Sequence, residues 1–454
     1  MRDTDEKQNL TVGTVWKKLI MFFVPIAVGT CIQQLYNAVD GLIVGRFVGT
    51  IALAAVGGST SQIINLLIGF FVSMTSGASV IIAQIFGAGR REDVSKATGS
   101  AIVAFFFIGI ILTAAGLLLS PWMLGLLKTP SDTMEGALLY LRIYFISVPF
   151  VLVLNMESNM LRSIGDSFHP FLYMVVGCAA NIVLDFAFVV FFKWGVAGVA
   201  IATVIAQIIN MILLSVRLLT TKESYRLTKD SFRIRKTYLN NMMQLGIPSG
   251  VQSSMYSISN MVIQIGVNTL GTVVVASWAM TSKIDGVFWA VSNALGASIT
   301  TFVGQNIGAG RFDRINACIK QGFVIASIFT VVLSALILLL AKPILNIFTK
   351  DVSVIEMTFY MMLRFVPFYI TWTITEVLAA VMRGAGDAKM PVIIIGVGTC
   401  LLRILWILFV FTRNSTVDIL CFSYPISWIV TDIWLIRYFR SGNWRRIAKN
   451  RIAG

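Results

Sequence analysis

Long apolar segments constrain the fold of this chain more than any other feature of its sequence. A segment of about 20 apolar residues crosses a bilayer as a helix, and the sequence holds twelve such segments. Only helices and closed barrels satisfy every backbone polar group inside lipid, and the alternating pattern of barrel strands is absent. The sequence therefore predicts an all-α membrane protein. The predicted transmembrane helices are Trp16–Arg46, Ile51–Phe86, Ala101–Leu119, Leu138–Asn159, Pro170–Phe191, Val196–Leu218, Tyr238–Val267, Val273–Ile307, Phe323–Leu340, Met357–Val381, Pro391–Val410 and Ile419–Ile436.

The composition excludes several classes of protein. Only 13% of the residues are charged and 57% are hydrophobic, whereas a soluble domain carries about 25% charged residues. A soluble enzyme is therefore excluded, and no arrangement of a nucleophile with a base indicates catalysis. The five cysteines lack CxxC spacing and His169 is the only histidine, so we expect free thiols and no metal site. No Gly-Lys pair occurs, which argues against a nucleotide-binding loop and the use of ATP.

The placement of basic residues predicts the orientation in the membrane. The chain carries 36 Lys and Arg residues and a net charge of +15. If the N-terminus is cytoplasmic, most of these residues fall in cytoplasmic segments, as the positive-inside rule requires. We therefore expect both termini in the cytoplasm of a multi-pass protein of the cell (inner) membrane. The basic surface then faces anionic lipid rather than nucleic acid.

The chain resembles itself at an offset of 221 residues. The segment Gln84–Arg90 (QIFGAGR) returns as Gln305–Arg311 (QNIGAGR), and Arg162–Asp166 (RSIGD) returns as Arg383–Asp387 (RGAGD). We interpret the glycines in these turns as helix C-caps rather than as a phosphate loop. Each copy holds six helices, an even number, so the repeats are parallel and related by a pseudo-two-fold axis along the membrane normal. The predicted domains are a first lobe over 1–218, a cytoplasmic linker over 219–237, and a second lobe over 238–454 that includes a basic tail.

Two acidic residues inside predicted helices form the strongest candidate site. Asp40 lies six residues before Arg46, and Asp185 lies eight residues before Lys193. At 1.5 Å per residue these spacings are about 9 Å and about 12 Å, so both carboxyl groups lie at a similar depth. Neither has an acidic counterpart at the matching position of the second repeat, which favours a functional site over a requirement of the scaffold. The stripe of the first helix that carries Asp40 also carries Gln33, Tyr36 and Asn37. Asn181 lies four residues before Asp185, and Thr203 lies at a comparable depth on the returning helix.

The alternative is a polar network that only locks helices together. Buried carboxyl groups without a nearby cation stabilise a fold poorly, so we favour the functional interpretation. A charged residue within a membrane helix costs about 2.5–3.5 kcal/mol on insertion scales, and two close carboxyl groups hold a proton more tightly than one. The pair is therefore suited to binding and releasing protons.

Other ionisable residues in the predicted helices have simpler interpretations. We expect Glu157 and Glu376 to pair with Arg162 and Arg383 near the cytoplasmic interface. Asp432 is expected at the same interface, close to the basic C-terminal segment. For Lys283 and Asp285 the sequence leaves two roles open, pairing with neighbouring helices or lining the second lobe.

Twelve helices, two six-helix lobes and the paired Gly-Ala-Gly-Arg and Arg-x-x-Gly-Asp turns together resemble the multidrug and toxic compound extrusion (MATE) transporters. The resemblance covers nearly the whole chain and is strongest to the DinF-like branch, whose ion site lies in the first lobe. It implies an ion site of Asp40, Tyr36, Asn181, Asp185 and Thr203, with Pro25 as the bend point of the first helix. It also implies that Gln33 and Asn155 join the polar cavity of this site, and Asn37, on the same stripe as Gln33, is a further candidate for substrate contact. The NorM-like branch differs by an acid in the seventh helix, which is absent between Tyr238 and Val267; Glu376 keeps sodium coupling in the second lobe open.

The sequence and the resemblance predict a secondary active exporter. Such a protein exchanges protons for organic cations or amphiphilic drugs by alternating access. Two alternatives stay open, namely a sodium-coupled drug exporter and a flippase for a lipid-linked precursor, although a flippase should present a cationic cavity to its phosphates. We expect a monomer that contacts small molecules and membrane lipid, without nucleic acid, ATP or an organic cofactor, and with H⁺ or Na⁺ as the coupling ion.

Overall fold

A computed structural model describes residues 9–453, and these residues form helices and short connections without a strand. The predicted all-α fold with twelve long helices is confirmed, and a thirteenth, shorter helix follows. The helices are α1 Val15–Val48, α2 Thr50–Gly87, α3 Arg91–Leu126, α4 Ser131–Ser163, α5 Phe168–Phe191, α6 Gly195–Thr220, α7 Lys236–Asn268, α8 Thr272–Gly308, α9 Phe312–Phe348, α10 Val352–Gly384, α11 Lys389–Arg413, α12 Val417–Arg440 and α13 Asn443–Ala453.

Several helices are longer than the apolar segments that predicted them. Eleven of the twelve are long and apolar enough to cross a membrane by length and composition; α7 is as long as its neighbours but more polar. The helix α3 begins at Arg91, ten residues before the predicted start, and its first turn contains Glu92 and Asp93. Acidic side chains stabilise the positive end of a helix dipole, so this polar turn continues the helix beyond its apolar core.

The repeated turns have the same hydrogen bonds in both copies. The amide of Arg90 donates to the carbonyl of Ile85, and the amide of Arg311 donates to that of Asn306. The second pair of turns matches in the same way, because the backbone amides of Asp166 and Asp387 each donate to the carbonyl oxygen five positions earlier. The glycine of each turn has a positive φ, between 69° and 92°, which only glycine adopts without strain. The interpretation of these glycines as C-caps is confirmed. The four glycines are Gly89, Gly165, Gly310 and Gly386.

The described chain divides into two compact units whose limits fall inside helices. The first unit includes Val24–Gly250, and the second includes Leu10–Phe23 together with the chain from Val251 onward. The beginning of α1 therefore belongs to the unit that contains the second repeat, and the beginning of α7 belongs to the unit that contains the first. The predicted lobes follow the sequence repeat. The compact units differ from them, because the beginning of each repeat's first helix, α1 or α7, belongs to the unit that holds the other repeat.

Close packing and hydrogen bonds hold each exchanged segment in its unit. In the first unit, a Cβ on Gly77 of α2 would lie 2.2 Å from the backbone nitrogen of Gly246 in α7, so the two backbones are in direct contact. In the second unit, the amide of Leu10 donates to Oε1 of Gln305 at 3.0 Å. Arg314 donates to the carbonyls of Leu10 at 3.1 Å and Gly13 at 2.7 Å. Both exchanges are thus built on specific contacts.

The connection between α6 and α7 is ordered against α3. It contains a 3₁₀ turn at Lys229–Phe232 with reciprocal hydrogen bonds between Thr228 and Ser231. The amide of Arg235 donates to Oγ of Ser100 at 2.8 Å, and a Cβ on Gly99 would lie 2.3 Å from the carbonyl oxygen of Ser231. The predicted linker is therefore a packed part of the first unit.

Candidate ion-coupling site

The structure brings the two predicted acidic residues together. The carboxyl groups of Asp40 on α1 and Asp185 on α5 lie within hydrogen-bonding contact of each other. Asp185 is fully buried and Asp40 is half-buried. One oxygen of each carboxyl group, Oδ1, is buried without a hydrogen-bond partner among the described residues. A buried acceptor without a partner is costly, and a proton shared between the two carboxyl groups, or a small cation, would offset that cost.

Two further predicted residues, Asn181 and Thr203, connect to this pair. With its side-chain amide oriented to suit both neighbours, Asn181 donates to Oδ2 of Asp185 at 2.8 Å and accepts from the amide of Thr203 at 3.1 Å. The hydroxyl of Thr203 donates to the carbonyl of Val199 at 3.0 Å, and its side chain is also in hydrogen-bonding contact with Tyr36. Helices α1, α5 and α6 therefore contribute all five predicted ion-site residues to one network.

The backbone beside each acid is irregular. The helix α1 changes to a π-helical turn at Val44–Val48, just after Asp40, and α5 does so at Phe186–Phe191, immediately after Asp185. Such turns are frequent at functional sites. The second repeat has a π-helical turn at Trp406–Val410, where the sequence carries Trp406 in place of Asp185. The distortion in α5 therefore belongs to the repeated scaffold, and the acid is the part that is specific to the first unit.

An aromatic residue that the sequence did not indicate lies near the two acids. Tyr140 on α4 is buried and lies close enough to Asp40 and Asp185 for their charges to act on it. Its ring stacks with that of Tyr144 at a centroid distance of 6.2 Å, as expected for aromatic residues four apart on a helix. That spacing was the available signal, but nothing in the sequence placed this face of α4 against the acids.

The three predicted cavity residues lie apart from the hydrogen-bond network. Gln33 and Asn37 are exposed on α1, and Asn37 donates to Oε1 of Gln34 at 3.4 Å. Asn155 on α4 donates to the carbonyl of Val151 in its own helix at 2.8 Å. None of these hydrogen bonds reaches the acid pair, so a role for these residues in substrate binding stays a prediction.

Pro25 lies at the junction between the two compact units. The helix is continuous from Val15 to Ile43, and the unit limit falls between Phe23 and Val24. Pro248 occupies the matching place in α7, two residues before the second limit at Gly250. Because proline removes one helical hydrogen bond, both junctions lie where the helix is locally weakened.

We expect Pro25→Ala to fold as the wild type does and to transport poorly, because an alanine restores the missing hydrogen bond and stiffens the junction. Initial transport rates in liposomes at equal protein content measure this effect. Pro121→Ala is the matched control, since Pro121 also lies inside a helix, α3, but away from either junction. Equal transport by Pro25→Ala and the control would rule out a hinge at this position.

The remaining ionisable residues correct part of the sequence interpretation. The predicted pair of Glu376 and Arg383 is confirmed, with Nη2 of Arg383 2.9 Å from Oε1 of Glu376. The pairing predicted for Glu157 is wrong, because its Oε1 accepts instead from Ser215 on α6 at 2.5 Å. Asp432 is buried and accepts from Thr375 on α10 at 2.6 Å, so its partner is a neighbouring helix and not the basic C-terminal segment. Helix neighbours, which the sequence does not give, decide these contacts.

The second unit contains a cavity of its own, with a volume of about 470 Å³. Asp285 lines this cavity and also accepts a hydrogen bond from Tyr369 of α10, so it combines the two roles that the sequence left open. Lys283 lies against the ring of Phe348. Arg403 lines the same cavity. It lies within the predicted helix Pro391–Val410, and nothing in the sequence indicated a role for it.

Comparison with known proteins identifies the family. The MatE family model matches residues 25–187 and 248–408, one match for each repeat. A probable multidrug resistance protein, YoeA of Bacillus subtilis, is 28% identical over 85% of both chains. A probable multidrug resistance protein, NorM of Thermotoga maritima, is 24% identical over 96% of this chain and 95% of its own. Among solved structures, a MOP superfamily transporter of Pyrococcus furiosus superposes with a TM-score of 0.89 at 21% identity, covering 98% of each chain. With its two matched repeats and its twelve long helices, this chain belongs to the MatE family.

Proposed function

We propose that this protein is a secondary active exporter that exchanges protons for organic cations or amphiphilic drugs. The observation that carries the proposal is the contact between Asp40 and Asp185, each with a buried oxygen that lacks a partner. Membership of the MatE family and relatives named as probable multidrug resistance proteins support the substrate class. No nucleotide is needed in this scheme, because the proton gradient supplies the energy.

The proposed mechanism uses two charge states of the pair. With one proton shared between them, the two carboxyl groups hold each other, and the site carries a single negative charge. When the proton leaves, two like charges lie in contact, which raises the free energy of the buried pair. A positively charged substrate then relieves this repulsion, so that proton and substrate exclude one another. Alternating access converts this exclusion into exchange.

Asn181, Tyr36 and Thr203 have positioning roles in this mechanism. Asn181 holds Asp185 by donating to Oδ2 and is itself fixed by the amide of Thr203. Tyr36 and Asp40 lie on the same face of α1, four residues apart. A change in the charge of Asp40 can therefore move α1 through both residues and reach the junction at Pro25.

Proton release on addition of substrate tests the proposal directly. Purified protein is reconstituted in weakly buffered liposomes, and the external pH is followed after a cationic dye such as ethidium is added. We expect an acid shift of equal size with and without sodium. Dye transport that requires sodium and releases no proton would favour the sodium-coupled alternative. An absence of proton movement while the dye is transported would overturn the proposal.

The orientation in the membrane is part of the same proposal, with both termini and the α6–α7 connection in the cytoplasm. We expect Ser224→Cys to resist an impermeant thiol reagent added to intact cells, and Ser415→Cys to react. Both serines are exposed, whereas Ser231 in the same connection is buried and unsuitable as a probe. The half-buried native thiols Cys31 and Cys178 are first replaced by serine. Labelling of Ser224→Cys from outside would contradict the orientation.

A further inference from the structure

The cavity of the second unit combines aromatic walls with two opposite charges. Its volume of about 470 Å³ falls within the range of about 300–1,000 Å³ that is typical of small-molecule sites. Trp289 and Trp372 meet edge to face with ring centroids 5.1 Å apart, and both line the cavity. Large flat side chains of this kind present rigid surfaces to a planar ring. The aromatic lining residues are Tyr256, Trp278, Trp289, Phe365, Trp372 and Tyr424.

The two charged residues of this cavity differ in what the protein already supplies to them. The carboxyl group of Asp285 accepts a hydrogen bond from the hydroxyl of Tyr369, which is fully buried. The acid therefore has a donor from the protein. Because this carboxyl group already accepts a hydrogen bond from the protein, it gives a weaker indication of a ligand than a group without a partner.

Arg403 is in the opposite situation. Its side chain is only 3% exposed, its Nε donates to Oγ of Ser427 at 2.9 Å, and its guanidinium lies 3.9 Å from the ring centre of Tyr424. These contacts fix the side chain but use one of its five N–H donors. Within residues 9–453, Nη2 is buried without a partner, and so is the hydroxyl oxygen of Thr281, which also lines the cavity. On this wall of the cavity, Arg403 therefore still has N–H donors that a ligand could use.

The scaffold does not require this arrangement. At the repeat offset of 221 residues, Asp285 corresponds to Ile64 and Arg403 corresponds to Ile182. The first repeat folds with apolar residues at both places. A buried guanidinium nitrogen without an acceptor is costly, and Nη2 of Arg403 has none among the described residues. A ligand that supplies an acceptor would offset this cost.

We propose that this cavity binds planar aromatic carboxylates, with the carboxylate on Arg403 and the ring against the aromatic wall that contains Trp289 and Trp372. A guanidinium and a carboxylate match in geometry and form two parallel charge-assisted hydrogen bonds. The aromatic walls supply the apolar contact. This site is separate from the acid pair of the first unit, and it favours the opposite charge.

Three naphthalene derivatives of nearly equal size test the charge preference. They are 1-naphthoate, 1-naphthylmethylammonium and 1-naphthalenemethanol. Binding to the full chain in detergent micelles is measured by calorimetric titration at pH 7 without an ion gradient, so that the result does not depend on transport or coupling. We expect naphthoate to bind about tenfold or more tightly than the alcohol, as a charge-assisted hydrogen bond provides, and the ammonium to bind more weakly than either.

Variants separate the site from general effects of the protein and the micelle. We expect Arg403→Gln to lose the preference for naphthoate, while Arg364→Gln keeps it, because Arg364 pairs with Asp418 at 2.9 Å and does not line the cavity. Asn260→Phe fills the cavity from an exposed lining position and should weaken all three probes. If Arg403→Gln fails to fold, Asn260→Phe alone decides whether the cavity is occupied.

Three results would overturn the proposal. The first is tighter binding of the ammonium than of naphthoate by the wild type. The second is unchanged naphthoate binding by Arg403→Gln. The third is unchanged binding of all three probes by Asn260→Phe, which would place them outside the cavity.

Discussion

We expect Asp40→Asn and Asp185→Asn each to lower the proposed proton-coupled export by about 100-fold or more, the largest loss expected for any substitution in this chain. In the proposed mechanism either change removes one of two carboxyl groups that share a proton, so the charge change that excludes substrate no longer occurs. A loss of 100-fold corresponds to about 2.7 kcal/mol, less than the interaction of two like charges in contact at low dielectric. Folding survives because asparagine has nearly the same size as aspartate. The measurement is the initial rate in liposomes with an imposed pH gradient.

Two control variants change buried carboxyl groups outside this site. Glu157→Gln lies in the same unit and keeps an acceptor for Ser215, so we expect near wild-type export. Glu376→Gln changes the second unit, where the carboxylate pairs with Arg383, and we expect at most a modest effect. If Glu376→Gln abolishes exchange while both aspartate variants retain it, the coupling site lies in the second unit.

Gly77→Ala destabilises the first unit strongly. A Cβ at this position would lie 2.2 Å from the backbone nitrogen of Gly246 and 2.6 Å from the carbonyl oxygen of Met242. Backbone atoms of a helix cannot move aside as the end of a flexible side chain can, so the beginning of α7 must separate from α2. Overpacking of this kind costs about 1–3 kcal/mol and occasionally more. We expect a loss at the upper end of this range, seen as a midpoint of thermal unfolding about 5 °C or more lower.

Gly125→Ala is the control for this substitution. Gly125 also lies in a long helix, α3, and a Cβ there would meet no atom within 4 Å. Alanine is the better helix former, so the unfolding midpoint should stay equal or rise slightly. A Gly77→Ala protein as stable as the Gly125→Ala protein would show that α2 and α7 are not in backbone contact.

The sequence predicted the helices because apolar length defines each span. Depth arithmetic placed Asp40 and Asp185 at a similar depth, and the resemblance to the MATE transporters assigned both to one ion site. The sequence did not predict the partner of Glu157. Ser215 is 58 positions further along the chain, on α6, and no local pattern indicates which helices are neighbours. For the same reason the cavity of the second unit was missed. Asp285 and Arg403 are 118 positions apart and share a wall only after α8 and α11 have packed.

The exchange of helix beginnings between the two units has a consequence for biosynthesis. The ribosome makes Leu10–Phe23 first, yet this segment waits for the second half of the chain before its own unit is complete. The first unit waits in turn for Gly246 and the beginning of α7. Neither half of the gene therefore encodes every segment of one compact unit. We expect two fragments separated within the α6–α7 connection to complement each other only when they are made in the same cell and inserted into the same membrane.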